Sequence, residues 1–442
     1  MKRYRGYIPP AKLRDFYAGR LWDEARLPEG ITQEEVARAK RAGYLQAHVA
    51  VDERCMRCGN THIIAYDSYL YCRHCLTMGR LTNQTTLLTW QGQRPRFMRF
   101  SYNESSLSEA QASVSAALIA SLQQKRSHLL DAVCGAGKTE MLFGAIAYAL
   151  KRGLRVAVAT PRADVVRELA PRLRHVFPST CMHVLYGGVE KQAGCPQLIV
   201  ATTHQLYHFY EAFDVMIVDE ADAFPYTYDE ALQRAVYQAK KPQAPIIFVT
   251  ATPSKTLVAE ARRNHYGHSS VWRRYHGFLL PEPRYSALFH YAKTLKKRLP
   301  KKLKDWTLER LKRNEPFLIF FPTKKLMHQA LPYFTALDAR IMSVHAEDEA
   351  RAEKVQSLRD ETCKGLLTTT ILERGVTIKN VQVAVVGAEA AIFEASALIQ
   401  ISGRVGRNAN YPNGDVVFFH HGITKAMDEA RATIRKQNEV KQ

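Results

Sequence analysis

The stretch LLDAVCGAGKTE, residues 129–140, decides the fold class. Its first five residues are an apolar run that does not alternate with polar ones, as in a strand buried on both faces of a parallel sheet. The segment TEMLFGAIAYALKRG, beginning at Thr139, sets Leu142, Ala145, Ile146, Ala149 and Leu150 on one helical face and reaches a helix stop at Gly153. Between them, Gly135 and Gly137, flanking Ala136, allow a tight turn whose successive N–H groups face an anion at the start of a helix. Lys138 is placed to reach the β and γ phosphates as a point charge, and Thr139 to offer its hydroxyl to magnesium. The expected ligands are therefore ATP and Mg2+. The strict motif has its first glycine where Ala132 stands.

Four more runs of the same kind come after it, RVAVAT (155–160), QLIVAT (197–202), DVMIVDE (214–220) and PIIFVT (245–250). The alternation restarts with FLIFF (317–321), RIMSV (340–344), GLLTTT (365–370), VQVAVV (381–386) and DVVFF (415–419). Two α/β units in tandem are expected. The 442 residues suit about three domains. The expected division is 1–100, a basic N-terminal module, then 101–285 and 286–442.

The acids of VDEAD (218–222) close an apolar run, so Asp219 and Glu220 emerge at the carboxyl end of a strand, where open α/β sheets place ligands. Asp219 is assigned to magnesium, and Glu220 to orienting and deprotonating the attacking water. QISGRVGR (400–407) supplies Arg404 and Arg407, spaced to lie near one helical face and expected to stabilise the γ phosphate.

Residues 1–100 carry 17 Lys and Arg against 9 acids, and hold the pairs Cys55 and Cys58, then Cys72 and Cys75, with thirteen residues between pairs. Four thiolates at such spacing predict a closed, structural Zn2+ site. The tyrosines beside them, Tyr66, Tyr69 and Tyr71, are expected to pack on the small zinc core, with base stacking as the other reading.

A composition of 46% hydrophobic and 24% charged residues is globular, and a net charge of +21 points to a polyanionic partner. No apolar run is long enough to span a membrane, and MKRYRGYIPP lacks a secretory signal, so a cytoplasmic location is expected. Residues 293–313 hold ten Lys or Arg against two acids, compatible with a solvated helix face or with polyanion contact.

With these pieces in order, residues 105–420 resemble the superfamily 2 helicase-type translocases. The resemblance implies two tandem RecA-like parallel-sheet domains clamping ATP, here preceded by a small zinc-binding domain. It extends to LSEAQ (107–111), where Gln111 matches an adenine-reading glutamine, to ATPR (159–162) and ATTHQ (201–205), which match strand-contacting motifs, and to TAT (250–252), the coupling motif. TTTILERGVTI (368–378) matches the fifth motif through Thr370, Arg374 and Gly375, the last taken as nucleotide-binding. Thr160, Arg162, Thr202 and Thr203 in the first unit, with Thr323 and Thr370 in the second, are candidates for DNA phosphate contacts.

A zinc module ahead of both ATPase domains, joined to VDEAD, ILERGVT and QISGRVGR, closely resembles the ComFA family of bacterial natural competence. That resemblance implies a DNA-stimulated ATPase drawing incoming single-stranded DNA through a channel at the cytoplasmic face of the membrane, with ComFC and DprA as partners and oligomerisation left open. The other readings are a PriA-like replication-restart helicase, a DEAD-box-type RNA-remodelling ATPase and a non-catalytic nucleic-acid scaffold. PriA proteins carry their cysteines between the ATPase motifs, and DEAD-box enzymes usually place an Asp where Thr377 stands.

Overall fold

A computed structural model of the chain describes residues 7–189, 194–373 and 377–440. These form two compact units, one of Met1–Asp131 with Thr139–Ser269, the other of Ala132–Lys138 with Ser270–Gln442.

The N-terminal residues build a small antiparallel sheet from β1 (Leu21–Asp23), β2 (Leu45–Val49) and β5 (Thr86–Trp90), with β5 in the middle, and a separate hairpin of β3 (Ile63–Tyr66) and β4 (Tyr69–Cys72). Leu13, Tyr17, Trp22, Val36, Leu45 and Leu88 close a core over the small sheet.

The main sheet of the first unit consists of β6 (His128–Ala132), β7 (Val156–Thr160), β8 (Met182–Leu185), β9 (Leu198–Thr202), β10 (Val215–Asp219), β11 (Ile246–Thr250) and β12 (Gly267–Val271). Its order is β12-β6-β11-β10-β7-β9-β8, and the pairs from β6 through β8 are parallel. All residues of β6, β7, β9, β10 and β11 are buried, as strands covered on both faces of a parallel sheet must be. The second unit repeats the scheme with β13 (Arg284–Ala287), β14 (Phe317–Phe320), β15 (Ile341–Val344), β16 (Gly365–Thr368), β17 (Gln382–Val386) and β18 (Val416–His420), in the order β13-β18-β17-β14-β16-β15 and parallel throughout. The chain is thus α/β, with two parallel-sheet, RecA-like domains behind an N-terminal region that bears the cluster of four cysteines. Within the basic run, the helix Lys301–Lys312 turns Leu303, Trp306 and Thr307 inward and leaves Lys301, Lys302 and Lys304 exposed.

The N-terminal residues share the interior of the first unit. Cys55, Cys58, Cys72, Cys75, Leu81 and Leu87 belong to one apolar cluster with Tyr207, Leu232, Val236 and Phe248. Arg155, fully buried, donates from Nη1 to the Ala18 carbonyl (2.8 Å) and from Nε to the Pro196 carbonyl (2.9 Å). Gly19 makes the approach possible: its φ is +75°, and a Cβ there would sit 2.6 Å from that of Ala212.

At the start of β6, buried His128 lies between the Ser121 hydroxyl (2.8 Å) and the Ser269 hydroxyl (3.0 Å). Burial, then the nearby Arg126 and His268, push its imidazole down from 6.5 to about 4. The neutral ring is the folded form, so its contribution is fully present above pH 6.5 and is lost as pH falls toward 4, worth up to ~3 kcal/mol. Thermal melts between pH 7 and pH 4 should show this loss, and His128→Asn should flatten the pH dependence over that window.

Candidate nucleotide site and metal centre

The parallel register brings the carboxyl ends of β6, β11 and β10 side by side: Asp131 aligns with Thr250, and Val249 with Asp219. Neighbouring strands lie ~4.8 Å apart, so the ends of β6 and β10 stand about 10 Å from each other at one edge. Asp219 is 8% exposed there, and its Oδ1 accepts the Glu220 N–H at 2.9 Å. Glu220 takes a left-handed φ of +55°, an uncommon conformation for a residue with a side chain and one that turns the chain sharply off the sheet. Asp222 accepts a hydrogen bond from the Thr252 hydroxyl (2.5 Å), tying VDEAD to TAT across adjacent strands.

Directly after β6, Gly135 and Gly137 adopt φ of +85° and +78°, and the helix Lys138–Lys151 begins. Ala132 is the last residue of β6, fully buried and extended; the position needs no left-handed backbone, so alanine serves where the strict motif has glycine. The Lys138 ammonium donates to the Ala132 carbonyl (2.8 Å), so that a cation spans the glycine loop. Thr139 and Asp219 offer only oxygen, a hydroxyl and a carboxylate, which is the donor set magnesium takes.

Two arginines beside this machinery carry no sequence signal. Arg172 donates to the Thr139 hydroxyl (3.3 Å) and pairs with Glu140. In the second unit, Arg274 is 2% exposed and donates to the Gly406 carbonyl (2.5 Å) and the Gly403 carbonyl (3.4 Å). The next residue, Tyr275, donates its N–H to the Gly135 carbonyl (3.0 Å), so the segment after β12 holds the glycine loop and the QISGRVGR loop together. Burial, and then the charge of Arg407, lower the Arg274 guanidinium to about 10. Gly403 is required by the same packing, since a Cβ there would meet that of Cys134 at 2.5 Å.

Arg404 is buried, its Nε donating to the Glu373 carbonyl (3.0 Å), and the Arg407 Nε donates to the Gly403 carbonyl (3.1 Å). Gln111 completes a capping box with Ser108: its side chain accepts the Ser108 N–H (3.0 Å) while its own N–H reaches the Ser108 hydroxyl (3.3 Å). Ser-x-x-Gln before a helix is the sequence signal for that role. Thr160 and Thr202 are partners at the ends of β7 and β9, but both are buried, as is Thr203. Arg162 is half-buried at the start of the helix Ala163–Val176, Thr323 is an exposed helix cap, and Thr370 is half-buried. Gly375 and Arg374 lie outside the described residues.

The sulfur atoms of Cys55, Cys58, Cys72 and Cys75 all lie within 4.8 Å of one another, and all four residues are buried. Cys55 to Cys75 measures 3.8 Å and Cys58 to Cys72 3.5 Å. A tetrahedron of thiolates at the usual ~2.3 Å from zinc has edges of about 3.8 Å, so the residues fit that ion. His74, inside the second pair, instead meets the Tyr207 hydroxyl through Nε2 (3.2 Å), at the turn Thr203–His208 that comes after β9. The expectation that the tyrosines pack on the zinc core is corrected here. Register pairs Ile63 with Cys72 and Ala65 with Leu70 on the core-facing side, and Tyr66 with Tyr69 and Ile64 with Tyr71 on the opposite one.

Among the described residues no helix is long and apolar enough to cross a membrane. Residues 109–259 match the DEAD/DEAH box helicase family, 298–409 the helicase conserved C-terminal domain, and 8–89 the competence protein ComFA N-terminal domain. In fold, the chain is similar to S. cerevisiae Dbp5 bound to RNA and ADP BeF3, with a TM-score of 0.57 at 16% identity, over 76% of this chain and 88% of that one. Competence protein ComFA of Bacillus subtilis (strain 168) is 41% identical over 90% of this chain and 89% of its own length. For competence protein ComFA of Streptococcus pneumoniae (strain ATCC BAA-255 / R6) the identity is 36%, over 96% and 98%. Two ATPase-type sheets, a glycine loop and acid pair at one sheet edge, and a four-cysteine knot built into the first unit therefore place the chain in the ComFA family of competence-associated, superfamily 2 helicase-like ATPases.

Proposed function

We propose that the chain is an ATP-driven translocase on single-stranded DNA that draws transforming DNA across the cytoplasmic membrane. The observation that carries the reading is the common carboxyl edge of β6, β11 and β10, from which Lys138, Thr139, Asp219 and Glu220 all issue. Magnesium, when bound, neutralises the phosphate oxygens and aligns the γ-phosphoryl group. The glycine loop at 135–137 binds the β phosphate through its backbone, and Lys138 spans β and γ. Thr139 and Asp219 hold the metal, Glu220 orients the attacking water and takes its proton, and Arg404 and Arg407 supply positive charge as the terminal bond breaks. Arg162, Thr323 and Thr370 are the DNA-contact candidates that reach the surface, and phosphate contacts of this kind position a strand without reading its sequence. Zn2+ is assigned to the four cysteines as a structural ion. Work at the cytoplasmic face of the membrane with ComFC and DprA belongs to the same proposal and rests on family membership.

ATP turnover measured side by side with single-stranded DNA, duplex DNA and RNA tests it. Stimulation about tenfold or more by single-stranded DNA over the other two is expected, a difference of roughly 1.4 kcal/mol in the barrier to turnover. Stimulation by RNA above DNA would transfer the chain to the RNA-remodelling class.

A further inference from the structure

The outward face of the β3–β4 hairpin has no role in the ATP chemistry, and it is unusual for what it exposes. Strand alternation gives Ile64, Tyr66, Tyr69 and Tyr71 to one face, while Ile63 and Leu70 on the other pack against the cysteine-bearing core. The three rings form a continuous row, with centroids 5.8 Å apart from Tyr66 to Tyr69 and 6.4 Å from Tyr69 to Tyr71. Tyr66 is 62% exposed, far more than a ring kept for packing. Arg80 donates to the Tyr69 hydroxyl (3.2 Å) and lies 5.9 Å over the Tyr71 ring, so the row is held in place before any partner arrives. The surroundings are cationic: from Arg54 to Arg80 there are four arginines and a single acid, Asp67, and Arg54, Arg73 and Arg80 are exposed.

We propose that this tyrosine row is a stacking platform for the unpaired bases of single-stranded DNA, with the flanking arginines taking the phosphates. Flat, amphipathic rings beside positive charge suit a polyanion whose bases are splayed out; a duplex keeps its bases stacked on each other and offers the row nothing to hold. The platform stands on a hairpin too short to be stable alone, and the four cysteines directly beneath it supply the rigidity. The proposal rests on the single-strand reading above and adds the surface that holds the bases.

Its test uses the full chain without nucleotide and two labelled probes of equal length and charge, oligo-dT and an oligomer of abasic sites. By anisotropy, the wild-type protein should bind oligo-dT more tightly. Replacing Tyr66, Tyr69 and Tyr71 together with Ala should weaken oligo-dT binding about tenfold or more and leave the abasic probe unchanged, whereas the triple Phe variant should retain binding, because the ring and not the hydroxyl does the stacking. Zinc content and melting temperature are measured on each variant; should the triple Ala variant lose metal, Tyr66→Ala alone, at the most exposed ring, carries the comparison. Equal weakening for both probes, or no change for either, overturns the platform while leaving the translocase reading intact. A wild-type protein that binds neither probe overturns both.

Discussion

Lys138→Ala should reduce ATP hydrolysis by about 10²–10³-fold while DNA binding without nucleotide stays near wild type. The ammonium sits across the glycine loop on the Ala132 carbonyl, so on the proposed mechanism its removal takes away a preorganised charge and little packing. Glu220→Gln should cut turnover by a comparable factor, ~10²–10⁴-fold, by a different route: the amide keeps the size and shape of the carboxylate but accepts no proton. The two variants separate in nucleotide affinity, which falls in Lys138→Ala and is retained in Glu220→Gln. Equilibrium titration with a fluorescent ATP analogue, alongside steady-state turnover, makes the distinction. Hydrolysis surviving in Lys138→Ala would remove the loop from the reaction, and loss of nucleotide affinity in Glu220→Gln would recast the acid as structural.

The ten continuous apolar runs all form strands, because a strand buried on both faces of a parallel sheet leaves no choice of residue on either side. What the sequence hides lies at the margins. β8 and β12 are the two edges of the first sheet and β13 is an edge of the second; they read MHVL, GHSSV and RYSA, short and broken by polar residues, whereas β15, the other edge of the second sheet, is mostly buried and keeps a legible run. The same logic separates the site residues. Glycines at positive φ and acids at a strand end are demanded by local backbone geometry and are visible in a linear motif. Arg172 and Arg274 act through contacts made thirty or more positions away, with Thr139 and with Gly403 and Gly406, and a motif search has nothing to hold. The tyrosines defeat a sequence reading for a related reason. Alternation alone says that two faces differ, but which one meets the core depends on Ile63 and Leu70 finding the cluster built by β9, β10 and the helix Glu230–Ala239.

Replacing Cys55 and Cys58 together with Ser should release zinc and lower the melting temperature of the first unit as a whole. Had the cysteines formed a free-standing knot, their loss would unfold the N-terminal residues and spare the ATPase sheet. Instead their side chains are members of the apolar cluster that includes Tyr207, Leu232 and Phe248, so the disrupted metal site would lie inside the interior against which β10 and β11 pack. A structural zinc of this type stabilises by roughly 10–16 kcal/mol, comparable with the entire stability of an ordinary domain, and so much cannot be withdrawn from one side of a shared core without being felt on the other. The same coupling reaches the turn that follows β9: His74, between two of the cysteines, meets Tyr207 within it. Metal content by mass spectrometry and a calorimetric melt decide the matter. Zinc retained at full stoichiometry would exclude these four as its ligands. Zinc lost, with the main transition unmoved and only a small early one gone, would mean that the shared interior contributes packing without cooperativity, and that the N-terminal residues unfold on their own.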